Sequence, residues 1–234
     1  MNRSRDKVRC ALNHQNAGSI PVDFGSTAVT GIHCRIVEAL RNYYGLAPRP
    51  VKIVDAFQML GEIDAELAEK IGVDCIGIGG PKDIFDLDTT RMHEQTTPWG
   101  QRVLVPEAMD LTPDMRGDVY VYAGGDQNYP PSAVMPKGCY FINAIERQQP
   151  IEEDRLDPED NVEEFGLLTE NDLAYYCAEA DKAYQTGRAV VASFGGTALG
   201  DVAFVPGMGL KQPKGIRSVV YVYCYAAGLF ASGI

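Results

Sequence analysis

The chain has 234 residues, 45% of them apolar, and its 21 basic and 32 acidic side chains leave a net charge of −11. That length supports one large domain or two small ones around a true core, and the acidity argues against sequence-independent nucleic-acid binding, which needs a basic face to neutralise phosphates. The opening MNRSRDKVRCALNH lacks an apolar signal-peptide core, and the scattered cysteines at 10, 34, 75, 139, 177 and 224 form no CxxC pair, so the composition points to a reduced, cytoplasmic protein with free thiols.

In chain order, Ser4 can cap a first helix reaching about Asn13, with Val8 and Leu12 on one side. Ile20–Phe24 reads as a strand with Pro21 tolerable at its start. Thr30 can cap a second helix carrying Ile32, Ile36, Leu40 and Tyr44, closed by Gly45. Asp55 to Gly80 then carries the strongest pattern. Phe57, Leu60, Ile63, Leu67 and Ile71 recur at helical spacing, Asp55 and Gln58 suit a capping box, and Lys70 and Gly72 suit a helix end. Val73–Ile78 follows as a short apolar strand of the kind covered on both faces.

Residues 81–168 break this rhythm and read as an insertion over the end of the scaffold, with Gln101–Val105 and Asp118–Tyr122 pairing as a small antiparallel ribbon and the acidic stretch Ile151–Glu164 as a solvated loop. Regular structure resumes at the N-cap Thr169. Leu173, Tyr176, Ala180 and Tyr184 mark a helix ended by Gly187, and Ala189–Phe194 is a strand running into Gly195-Gly196. Three helix-to-strand returns, into Ile20, Val73 and Ala189, define an α/β scaffold. Three strands cannot close a barrel of eight. From Ser218 to Ile234 no residue is charged, and VVYVYCY has the character of an aggregation-prone strand. The segment is short and polar for a membrane span, and it reads as a truncated or frame-shifted end.

SRDKVRCALNHQNAGSIPVDF, IGVDCIGI and VVASFGGTALGD resemble, in order and spacing, the first three strand regions of uroporphyrinogen-decarboxylase-like proteins. The block from TPWGQRVLVPEAMD to PPSAVMPKGCYFINAI is similar to the anaerobe subgroup linked to corrinoid-dependent methyl transfer. The likeness covers almost all of residues 4–217. It implies an incomplete (β/α)8 TIM barrel over residues 1–234, holding the first three β/α units, with the insertion 81–168 after the second strand. It also implies methyl transfer from a methylated corrinoid protein to a thiol or tetrahydrofolate-type acceptor. Zinc and methylcobalamin are implied for a complete family member, with none bound by this portion, because the family's His-x-Cys zinc pair has no counterpart here.

The true decarboxylases carry a pair of arginines after the first strand and an aspartate at the end of the second. Here those places read GSTAVTGIH and Gly79-Gly80-Pro81, with Asp83 two residues late. A substrate bearing many carboxylates needs bidentate cations, so uroporphyrinogen decarboxylation is the alternative activity. The other alternative is a non-catalytic fragment or a corrinoid-protein-binding module. Strands left unpaired in either case favour self-association.

Six residues are candidates for substrate binding. Asp23 ends the first strand on the face where barrel active sites lie, and reads equally as a contact for substrate or as a cap for the next turn. His33, in the first turn of the next helix and on the same loop, suits a pocket acid or base. Ser193, Phe194, Gly195 and Gly196 end the third strand, where the glycines would let backbone amides approach an anion or would simply form a tight turn. His33 and Cys34 are adjacent, which disfavours a shared tetrahedral zinc. His14 reads as a helix-end residue, Asp126 as a turn former, and His93 with Glu94 as exposed residues of the insertion. Neither a dinucleotide fingerprint, a GK[ST] phosphate loop nor a GxSxG elbow is present.

Overall fold

A computed structural model of the chain describes residues 3–147, 166–194 and 207–215, together with 150, 152–155, 157–161 and 163. The helices are α1 (Arg3–Leu12), α2 (Cys34–Tyr43), α3 (Ala65–Ile71) and α4 (Glu170–Gln185). The strands are β1 (Val51–Asp55), β2 (Leu60–Gly61), β3 (Cys75–Ile78), β4 (Met92–Thr96), β5 (Arg102–Pro106), β6 (Val119–Val121), β7 (Ala133–Met135), β8 (Asn143–Ala144) and β9 (Ala189–Ala192). They form three sheets, ordered β2-β1-β5-β4, β3-β9 and β6-β7-β8. The result is a mixed α/β architecture with no closed barrel among the described residues.

The last helix starts at its expected cap, whereas the first begins at Arg3, with Ser4 inside it rather than capping it. Thr169 caps α4 in a capping box with Asp172, and Gly72 ends α3 in the left-handed conformation at φ +81°. The second helix starts later than its pattern implies. His33 is its N-cap, and Thr30 instead lies in a 3-10 turn, Ala28–Thr30.

Two expected elements are corrected. Ile20–Phe24 is not a strand. The amide of Asp74 donates to the Val22 carbonyl, and the Val22 amide donates to the Asp74 carboxylate at 2.9 Å, so the segment is held beside β3 without a ladder. The long helix from Asp55 does not form either. Asp55 does accept a bond from the Gln58 amide, at 2.7 Å, but Met59 then turns into the left-handed region at φ +52°. The chain becomes β1, a turn, β2 and α3, and the helix N-cap is Asp64. Cross-strand pairing wins over local propensity: Val51 and Lys52 pair with Val103 and Leu104 in parallel, and Ile53 pairs with Gly61. The apolar spacing still serves one purpose, since Leu60 and Leu67 are buried and Phe57, Ile63 and Ile71 pack against the core. Gly61 permits this arrangement. A Cβ there would meet Val51 Cγ1 at 2.6 Å and the Cα of Cys34 at 3.0 Å, so only glycine lets α2 lie on β2.

Residues 81–145 are not a cover over a scaffold. They supply Phe85, Leu87, Val103, Val105, Met109, Leu111, Val119, Val121, Ala133, Met135 and Ile142 to the main hydrophobic core. Gln101–Val105 and Asp118–Tyr122 do contain strands, β5 and β6, but they do not pair with each other. β5 pairs with β4 across Met92–Thr96, and β6 pairs with β7. An ion network around the buried Arg41–Asp64 pair ties α2 to α3: Arg41 also bonds the exposed Glu66, and Arg49 reaches Asp64 at 2.9 Å. Burial opposes the charge of Asp64, but the Leu67 amide, Arg41 and Arg49 together hold its carboxyl below the ordinary range.

β3 and β9 pair in parallel, Cys75 with Ala189 through Ile78 with Ala192. Each is entered from a helix, α3 and α4 respectively, and α4 packs along both. The uncharged segment from Ser218 to Ile234 lies outside the described residues. No helix among the described residues is long and apolar enough to cross a membrane.

Candidate functional site

The C-terminal end of the β3–β9 pair holds Ser193 and Phe194, whereas Asp23 lies in a turn alongside β3, one residue after the Val22 that bonds Asp74. Asp23 lies in an exposed turn in which its carboxylate accepts the Ser26 hydroxyl at 2.7 Å and the Ser26 amide at 3.4 Å. This turn packs directly on β3, because a Cβ on Gly77 would lie 1.6 Å from the Ser26 carbonyl oxygen. Cys75 is the first residue of β3. Burial pushes its thiol's pKa up, and the charges of Asp23 and Asp74 push it further. A raised thiol is a poor nucleophile.

Ser193 continues the ladder by donating its amide to the Ile78 carbonyl at 2.9 Å, while its own carbonyl accepts the Tyr176 hydroxyl at 3.1 Å. Phe194 stacks on Tyr176 with centroids 4.8 Å apart, and is mostly exposed. Tyr176 therefore caps this end of the pair from α4. A Cβ on Gly80 would approach its hydroxyl to 3.0 Å. Gly195 and Gly196 lie outside the described residues. Cations mark the opposite end of the pair: Lys7 bonds Asp74 at 2.5 Å, Arg188 donates to the Val73 carbonyl at 2.9 Å, and Arg5 donates to the Tyr184 carbonyl at 2.7 Å.

His33 stands apart from this group. Its Nδ1 accepts the Arg35 amide at 3.2 Å as the cap of α2, and its Nε2 lies 2.9 Å from the Tyr140 carbonyl oxygen. An Nδ1 that accepts leaves the proton on Nε2, which donates to Tyr140. Both ring nitrogens are thus committed to structure. The ring lies in an aromatic cluster with Trp99 at 5.6 Å and Phe141 at 5.2 Å, and Trp99 lies 5.3 Å from Tyr140. Cys34, behind the cluster, donates its thiol to Gln101 Oε1 at 3.4 Å, and burial pushes the thiol's pKa up to about 12. A zinc site needs a thiolate and an imidazole lone pair. His33–Cys34 offers neither, so this pair does not fit a metal.

The remaining histidines differ from one another. His14 follows α1 with φ +56°. His93, expected in solvent, is half-buried on β4, where its Nε2 meets the Gln95 amide at 2.6 Å and its Nδ1 is buried with no partner among the described residues. Glu94 is exposed and holds Arg102 through two bonds, of 2.5 and 2.9 Å. Asp126 orders its turn through the Asn128 amide and pairs with Lys211 at 2.7 Å. Among the described residues, no group of three or more His, Cys, Asp or Glu side chains is placed to hold a metal ion.

Trp99, Gln101, Tyr140 and Phe141 were not among the candidates from sequence. Trp99 is the sole tryptophan of the chain, and its place beside Gly100 in a turn, TPWGQ, is the signal that could have singled it out. No protein-family model, curated protein or solved structure matches the chain.

Proposed function

We propose that the chain is the opening portion of a uroporphyrinogen-decarboxylase-like (β/α)8 barrel of the corrinoid-dependent methyltransferase kind, acting in methyl transfer from a corrinoid protein to a small acceptor. The observation that supports this reading is the parallel β3–β9 pair, each strand entered from a helix, as successive β/α units require. Methyl transfer is preferred to decarboxylation because of the charge at the C-terminal end of that pair. The cations bonded to it, Arg5, Lys7 and Arg188, lie at the N-terminal end, whereas the opposite end presents Ser193 and the aromatic pair Tyr176–Phe194. An aromatic end suits a methyl group better than a multiply charged tetrapyrrole.

A binding module without its own chemistry is favoured by a separate observation. Asp23 is bonded to its own turn, and His33 has both nitrogens engaged, so both are committed to local structure. In that form the end of the β3–β9 pair would receive a corrinoid protein whose chemistry is completed elsewhere. A cytoplasmic location fits the five described cysteines, all of them free.

Calorimetric titration of the purified chain with methylcobalamin, followed by addition of a small thiol, tests both forms. Saturable binding with demethylation supports the enzyme, and saturable binding without demethylation supports the module. Conversion of uroporphyrinogen to coproporphyrinogen would defeat both.

A further inference from the structure

We propose that a shallow depression beside the aromatic cluster, between α2 and the turn leading into β5, binds a small aliphatic zwitterion carrying one ammonium and one carboxylate group. The depression encloses about 310 Å³ and is lined by Arg35, Glu38 and Asn42 from one face of α2 and by Trp99, Gly100 and Gln101 from the turn. That volume lies at the small end of ligand cavities. Among the described residues, neither Arg35 nor Glu38 has an oppositely charged side chain within ion-pair distance, although fifteen such pairs form elsewhere. Arg35 lies instead over the Tyr140 ring, its guanidinium carbon 4.4 Å from the centroid.

The two charges decide the ligand class. A simple anion drawn to Arg35 meets the Glu38 carboxylate, and a simple cation drawn to Glu38 meets the guanidinium. A molecule with both charges satisfies the two at once, with Asn42 offering a neutral amide beside them. The wall is fixed in advance. The Trp99 indole donates to Gln101 Oε1 at 3.0 Å, and buried Gln101 donates in turn to the Cys34 carbonyl at 3.0 Å. The indole is thereby held as a rigid face for methylenes and for an ammonium group. This site does not depend on the methyl-transfer reading, which concerns the end of the β3–β9 pair.

Because Trp99 is the only tryptophan, its emission reports this site alone. The full chain is titrated with glycine, β-alanine and γ-aminobutyrate, which differ in charge separation, and with propionate and propylamine, which carry one charge each. At least one zwitterion should give a saturable change with a midpoint on the order of millimolar, at least tenfold tighter than either control. Glu38→Gln and Arg35→Gln should each weaken it about tenfold with the circular dichroism spectrum unchanged. Absence of a saturable change up to about 100 mM, or controls that bind as tightly as the zwitterions, would overturn the proposal. So would undiminished binding in both folded variants, which would mean that neither charge contacts the ligand.

Discussion

The four-stranded sheet and the parallel β3–β9 pair differ in burial. On β5, Val103 and Val105 are fully buried, and Phe85, Leu111 and Val119 close over the same core. On the parallel pair, all four residues of β3 are half-buried, those of β9 alternate between half-buried and exposed, and Phe194 beyond it is mostly exposed. Parallel strands are ordinarily covered on both faces. The contrast teaches that alternation of helix and strand and location of the core are separate properties of this chain. The regular β/α rhythm belongs to the less buried part.

The largest expected effect comes from testing that division. Phe85→Ala should cost about 3–5 kcal/mol, the sum of lost transfer energy and a residual cavity. Val190→Ala on β9, at 36% exposure, should cost less than about 1 kcal/mol, because little apolar area leaves the interior. Urea denaturation of both variants checks the pair. Equal losses would show that β9 belongs to the core as fully as Phe85 does.

Legibility followed the same line. Helix ends set by local chemistry were readable, Thr169 before α4 and Gly72 after Ile71, but the face of α2 was not: Ile36 and Tyr44 are exposed, and Cys34, Val37 and Arg41 are buried instead. The strand pair was readable too, since Val73–Ile78 and Ala189–Phe194 contain β3 and β9. What failed depended on partners distant in sequence. Phe57, Leu60, Ile63, Leu67 and Ile71 fit a helix as well as they fit a strand, a turn and a helix that share one core, and Gly61 in the middle was the contrary sign. Residues 81–145 have short strands whose partners are set by register, β5 with β1 and β4, and proline-rich turns hid that regularity. At the site, Asp23 reads from sequence as the end of a strand that does not form, and the commitment of both His33 nitrogens was not legible, because the Tyr140 carbonyl comes from 107 residues away.

A second test concerns Asp83, at the seam between β3 and the main core. Its carboxylate accepts the Phe85 and Leu87 amides at 2.9 and 3.0 Å, while the other oxygen is buried without a partner among the described residues. Burial raises its pKa from 3.8 to about 6, against those two amides. A folded-state pKa above the unfolded one means that the native chain keeps the proton longer. The contribution is fully present below about pH 4 and is lost as pH rises through about 6, and it amounts to about 3 kcal/mol. Other carboxyls, such as Asp64, have the opposite slope, so the test is a difference. The gap in unfolding free energy between the native chain and Asp83→Asn should shift by about that amount between pH 4 and pH 7. A constant gap would mean that water reaches the second oxygen.

The smallest effect sharpens the comparison most. Thr169 Oγ1 accepts the Asp172 amide at 3.2 Å, and the Asp172 carboxylate takes the Thr169 amide at 2.9 Å and its hydroxyl at 2.7 Å. Thr169→Ala removes the hydroxyl from this box and should cost about 1 kcal/mol. If the parallel pair opens as a local unit, that loss falls on α4 and on the strands it packs against. Hydrogen exchange of β3 and β9 amides would then quicken about fivefold, with the β4–β5 ladder unchanged. If every protected amide quickens alike, α4, β3 and β9 unfold together with the main core. Residues 170–192 would then be stabilised by the whole molecule, and their higher exposure would describe only their surface.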